Sequence, residues 1–146
     1  MANVERRAHV EWEGDLQSGS GRLTEEDSGA LSEAPVAFAS RTGEPQGQTS
    51  PEELIASAHA TCYAMALSNT LAEQGSPPDR LTVDAVCTLD DEQLKITTVD
   101  LDVRGQVPGL DNEGFQSAAQ EADQICPVTN ALRGNVEVRV NANLEQ

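Results

Sequence analysis

The chain has 146 residues, enough for one domain with a real core, and carries 25 acidic against nine basic residues, for a formal net charge of -16. That balance excludes nucleic acid and anionic membrane surfaces as partners, because both would repel it. No apolar run approaches the ~20 residues that span a bilayer, and MANVERRAHVEWEGD has no apolar signal core, so a cytoplasmic protein is expected. The acidity reads as a well-solvated surface or as adaptation to high salt, where screening relieves self-repulsion.

In chain order, AHVEWEGDLQSGSGRLT predicts two strands joined by a Gly/Ser-rich turn. GALSEAPVAFA predicts a third strand, at an edge because of Pro35. RTGEPQGQT is a polar loop. A long helix follows from about Pro51 to Gln74, with Ser50 as N-cap, Pro51 at the first helical position and Glu53 at capping-box spacing. Gly75 and two prolines end it. In RLTVDAVCTLD, Leu81, Val83, Ala85, Cys87 and Leu89 share one face of a strand. QLKITTVDLDVRGQV completes a hairpin around DDEQ. DNEGFQSAAQEADQI is a second helix, PVTNAL a further helical turn, and NVEVRVNANL a last strand. Strands with helices over one face make a single α+β domain over residues 1–146, without repeats or low-complexity tracts.

Three cysteines occur, Cys62, Cys87 and Cys126, with no C-x-x-C pair. The odd number and the missing signal argue against a secreted disulfide scaffold. Cys87, on an apolar strand face, reads as a small buried hydrophobe. Cys62 lies inside the long helix, with Ala58, His59, Met65 and Ala66 one turn away. It is either a core residue or a thiol reached by a narrow channel between small side chains. His59 is either its base or a structural histidine. Cys126 precedes Pro127 and is therefore placed as N-cap of a new helix, whose free N–H groups favour a thiolate. Cys62, Cys126, His59 and His9 are also the residues a metal would use, but their spacings match no zinc pattern.

Together, AHVEWEGDLQSGSG, TSPEELIASAHATCYAMAL and CPVTNALRGNVEV resemble the OsmC/Ohr family of thiol-dependent hydroperoxide peroxidases over nearly the whole chain. PEELIASAHATC is closer to the OsmC branch, whereas CPVTNALRGN is similar to both and leans towards Ohr. The resemblance implies an OsmC-like fold, an antiparallel sheet with a long central helix packed on it, in an intertwined homodimer. It also implies a redox pair: Cys62 as peroxidatic and Cys126 as resolving cysteine, closing a disulfide. Glu52 corresponds to the family's motif glutamate, and an arginine oriented by it holds the thiolate. Arg41, in the loop before the long helix, fits that role, with Arg22 in the first hairpin as runner-up. Organic hydroperoxides, and hydrogen peroxide as well, are the implied substrates. A dithiol of lipoyl type is the implied reductant, and no metal or organic cofactor is implied.

Helix geometry adds a constraint. Glu52 and Cys62 are separated by ~15 Å of rise on one helix, too far for direct contact, so an antiparallel partner helix is needed to bring a second subunit's Glu52 close. A binding protein of the same fold, holding a small ligand in an apolar pocket, and a metal-binding thiol protein are the alternatives.

Overall fold

The computed structural model describes residues 3–145, and of Glu25 the backbone only. Two compact units are present, Met1–Leu54 and Ile55–Gln146.

The first unit is built on a meander of β1 (Ala8–Glu13), β2 (Ser20–Glu26) and β3 (Ala34–Val36), paired antiparallel in that order. The β1–β2 turn matches the sequence reading, with Asp15 accepting from the Ser18 backbone N–H and hydroxyl. The third strand is much shorter than expected. It pairs with β2 only from Ala34 to Val36, and its tail turns into a short helix, α1 (Phe38–Thr42). Two features stop the strand. Pro35 has no N–H to extend a ladder, and the Ser40 hydroxyl donates to the Ala37 carbonyl while accepting from the Ala37 N–H. This places Arg41 in the last turn of α1, not in the loop where the sequence placed it.

Helix α2 (Pro51–Glu73) begins in this unit. The Ser50 hydroxyl accepts from the Glu53 N–H at 3.1 Å, as the N-cap reading requires. The return arm differs: the Glu53 carboxylate accepts from the Thr49 hydroxyl at 2.8 Å. At the far end Gly75 adopts φ 87°, open to glycine, and the Ser76 N–H closes back on the Leu71 carbonyl.

The second unit holds the rest of α2 with β4 (Arg80–Asp90), β5 (Lys95–Gln106), α3 (Asn112–Ile125), α4 (Pro127–Leu132) and β6 (Glu137–Leu144). The sheet order is β4-β5-β6. β4 and β5 form the expected antiparallel hairpin, but β6 runs parallel to β5. Among the described residues, three of the four strand pairings are therefore antiparallel, as the resemblance implied, and one is parallel. The physical reason is the connection: a chain that leaves β5, crosses through two helices and returns beside it arrives in the same direction.

Alternation along β5 sorts its faces. Val99, Leu101 and Val103 are buried, while Asp100, Asp102 and Arg104 point away, with Arg139 of β6 paired to Asp100 at 2.6 Å. Against the buried face lie Tyr63, Leu67 and Leu71 of α2 and Phe115, Ala118, Ala119 and Ala122 of α3. The Tyr63 hydroxyl donates to the Ala119 carbonyl at 2.7 Å, so the phenol brings no unmet polar group into this core. Cys87 joins the cluster's edge as the strand pattern indicated.

Gly105 leaves the space that Phe115 fills. A Cβ there would stand 2.6 and 2.7 Å from Cε1 and Cζ of a ring that is fully buried. Gly105→Ala is therefore expected to destabilise by about 1–3 kcal/mol through overpacking, read as a lower urea midpoint with an unchanged slope.

Candidate active site

Each unit holds one of the two pairs of side chains that the sequence singled out. In the first unit, Arg41 Nε donates to Glu52 Oε1 at 3.0 Å and Arg41 Nη2 to Glu52 Oε2 at 2.9 Å. The pairing is bidentate, the fork-to-fork geometry in which a guanidinium is held flat and still. Glu52 is 8% exposed, in the first turn of α2. Its carboxylate raises the Arg41 pKa further above an already high ordinary value. Arg41 also reaches an apolar pocket of about 290 Å³, whose walls include Val10, Trp12, Leu23, Val36 and Phe38. Arg22 is placed differently. It lies on β2 between Glu11 at 3.3 Å and Glu33 at 3.0 Å, all three side chains about half exposed or more.

In the second unit, Cys62 is half-buried and Cys126 fully buried. The Cys126 thiol and the Val128 backbone N–H both lie near enough to act on the Cys62 sulfur. Burial is the main reason the Cys62 pKa lies above its ordinary value. The Val128 N–H pulls it down, and the bond to Cys126 adds to the rise by favouring the protonated thiol. Cys126 is both the C-cap of α3 and the N-cap of α4, with Pro127 first in the new helix. Its placement as N-cap is what the sequence indicated. The consequence differs, because the free N–H at the start of α4 serves the other sulfur.

Sequence reasoning left His59 open between base and structural residue. It is fully buried, and its Nε2 lies 2.7 Å from Thr129 Oγ1, but Nδ1 has no partner. A Thr three residues after a Cys-Pro start was the available signal, since that register returns to the cap. Among the described residues no group of three or more His, Cys, Asp or Glu is placed to hold a metal ion.

Desolvation lowers the His59 pKa, against a smaller opposing pull from Asp123. A histidine kept neutral by folding contributes stability that is complete above its unfolded pKa of about 6.5 and is lost as pH falls from there towards the folded value. The loss of urea midpoint between about pH 7.5 and pH 5.5 is expected to shrink in His59→Gln. An equal loss in variant and wild type would remove His59 from the acid response.

A family model described as OsmC-like protein matches residues 43–141. The chain belongs to the OsmC-like protein family. Within that family it is 37% identical over 135 residues to the Escherichia coli protein named peroxiredoxin OsmC, covering 91% of this chain and 93% of the relative. To the Bacillus subtilis organic hydroperoxide resistance protein OhrB it is 29% identical, covering 83% and 88%. The crystal structure of the B. subtilis OhrB protein superposes with a TM-score of 0.67 at 28% identity, over 94% of this chain and 98% of that one. The OsmC-like architecture recurs in an Elizabethkingia anophelis organic hydroperoxide resistance protein, with a TM-score of 0.72, 24% identity and coverage of 99% and 100%.

Proposed function

We propose that this OsmC-like chain is a thiol-dependent peroxidase that reduces organic hydroperoxides, and hydrogen peroxide as well. The observation that carries the reading is the Cys62–Cys126 contact, in which one sulfur is partly open and receives a backbone N–H while the other is fully buried. The relatives named peroxiredoxin OsmC and OhrB support the activity class.

In this scheme the Cys62 thiolate attacks the peroxide O–O bond, becomes a sulfenic acid and releases the alcohol. Cys126 then condenses with it, forming a disulfide and water. A dithiol of lipoyl type restores both thiols. Neither Val128 nor Cys126 brings positive charge to Cys62, so the thiolate needs a cation from elsewhere. Arg41, held by Glu52, supplies it and steadies the departing oxygen. The apolar pocket beside Arg41 favours a substrate with an organic tail.

The proposed assembly is a homodimer with one such domain per chain, since Glu52 and Cys62 stand ~15 Å apart along α2. A charge of -16 per chain makes the dimer looser as salt is removed. Sedimentation velocity checks this, and a fully active monomer overturns the shared site.

The deciding experiment is steady-state consumption of cumene hydroperoxide and hydrogen peroxide with dihydrolipoamide or a monothiol. Thiols are titrated before and after one equivalent of peroxide. A loss of two thiols per chain, regained with dithiol, is expected. A chain that loses none is a binding protein.

A further inference from the structure

Closing the disulfide makes a demand that the two cysteines cannot meet alone. Cys126 must lose its thiol proton while attacking the Cys62 sulfenic acid, yet it is 0% exposed, so bulk water is not there to take it. A base inside the protein that takes the proton as the S–S bond forms would speed closure.

The second unit contains one. His59 precedes Cys62 by three residues on α2, and Thr129 follows Cys126 by three at the start of α4, so each lies beside a thiol. The two join at 2.7 Å, His59 Nε2 to Thr129 Oγ1. Asp123, three residues before Cys126 on α3, acts on the ring through its charge. Two atoms in this group are buried without partners, His59 Nδ1 and Asp123 Oδ1. One is able to donate when protonated and the other only accepts, so they are matched in kind. Thr129 meets the ring at hydrogen-bond distance and Asp123 acts on it through its charge, while Cys62 and Tyr63 lie one turn further along α2. The strand side of the same core, Val99, Leu101 and Val103, is apolar.

We propose that Asp123, His59 and Thr129 form a buried proton relay that serves disulfide closure between Cys126 and Cys62. The inference rests on the peroxidase chemistry proposed above. With the proton on Nδ1, the Nε2 lone pair accepts from the Thr129 hydroxyl. As the Cys126 sulfur attacks, its proton passes to Thr129 Oγ1 and the hydroxyl proton moves to Nε2. The S–S bond forms, the S–O bond of the sulfenic acid breaks, and the departing hydroxide takes up the proton that the ring received, leaving as water. The ring returns to neutral, and no outside oxidant or reductant takes part. Asp123 stabilises the transient imidazolium. His59 is a positioning residue here, acting on the thiols through Thr129. Burial that holds the ring neutral also keeps it available as an acceptor.

The test separates the two steps in single turnovers of the full chain. One equivalent of cumene hydroperoxide is added, sulfenic acid is trapped with dimedone, and disulfide is followed by thiol titration. His59→Gln and Thr129→Val are expected to form sulfenic acid as fast as wild type but to close the disulfide at least about tenfold more slowly. Thr129→Ser, which keeps the hydroxyl, restores closure. Wild-type closure slows on acidification as the ring takes a proton, and His59→Gln lacks that limb, a difference that a packing defect would not produce. Normal closure in both His59→Gln and Thr129→Val, with the acid limb intact, overturns the relay alone. If His59→Gln does not fold, the Val and Ser variants at Thr129 decide, equal rates overturning the relay. Wild-type protein that forms no disulfide overturns both this inference and the peroxidase reading.

Discussion

Cys62→Ser is expected to reduce peroxide turnover to background, because the attacking sulfur is gone. Cys126→Ser should behave differently. The attacking Cys62 sulfur is still present, so the first peroxide equivalent is consumed. The sulfenic acid then has no thiol beside it and advances to sulfinic acid under excess peroxide. Intact-mass measurement separates the outcomes: a gain of two oxygens in the Cys126 variant is expected, against loss of two hydrogens in wild type. A Cys126 variant that cycles with dithiol and stays unoxidised would show that Cys126 does not resolve the intermediate.

The second large effect is expected at Arg41. An ordinary thiol with pKa ~8.5 is only about 3% thiolate at neutral pH, and burial moves Cys62 the wrong way. One backbone N–H opposes that, and the rest must come from a cation. Arg41→Ala is expected to lose about 10²–10³-fold in kcat/KM and to move iodoacetamide alkylation of Cys62 to higher pH. Arg41→Lys keeps the charge but not the two-pronged grip on Glu52, so it recovers little of the rate. Arg22→Ala, which releases only surface pairings with Glu11 and Glu33, should leave rate and pH profile nearly unchanged. A crippled Arg22 variant beside a normal Arg41→Ala would reverse the assignment.

Much of this was readable from local pattern. Ser50, Pro51 and Glu53 mark the start of α2 because capping is chemistry between near neighbours, and Gly75 marks its end for the same reason. The β4–β5 hairpin follows from alternation alone. The misses have equally physical causes. Phe38 and Ala39 looked extended because apolar residues continue past Val36, and the Ser40 hydroxyl that turns the chain has no signature in periodicity. The direction of β6 was implicit in the two helices before it, though no residue within the strand encodes it. The motif residues Cys62, Cys126, Arg41 and Glu52 could be picked out by resemblance. The direction of Val128's N–H, and the joining of His59 to Thr129 across 70 positions, depend on how α2 and α4 pack. A linear pattern does not contain that.

The unequal exposure of the two sulfurs predicts the regiochemistry of recovery in the proposed cycle. In the proposed disulfide only the Cys62 end faces an incoming thiol, because Cys126 is wholly enclosed. In the proposed cycle the reductant is therefore expected to bind covalently to Cys62, with Cys126 as the leaving group. A monothiol stalls at that mixed disulfide unless a second molecule reaches the same sulfur. A dithiol carries its own second nucleophile and releases itself by ring closure, so a preference for dithiols is expected from which sulfur the fold leaves open.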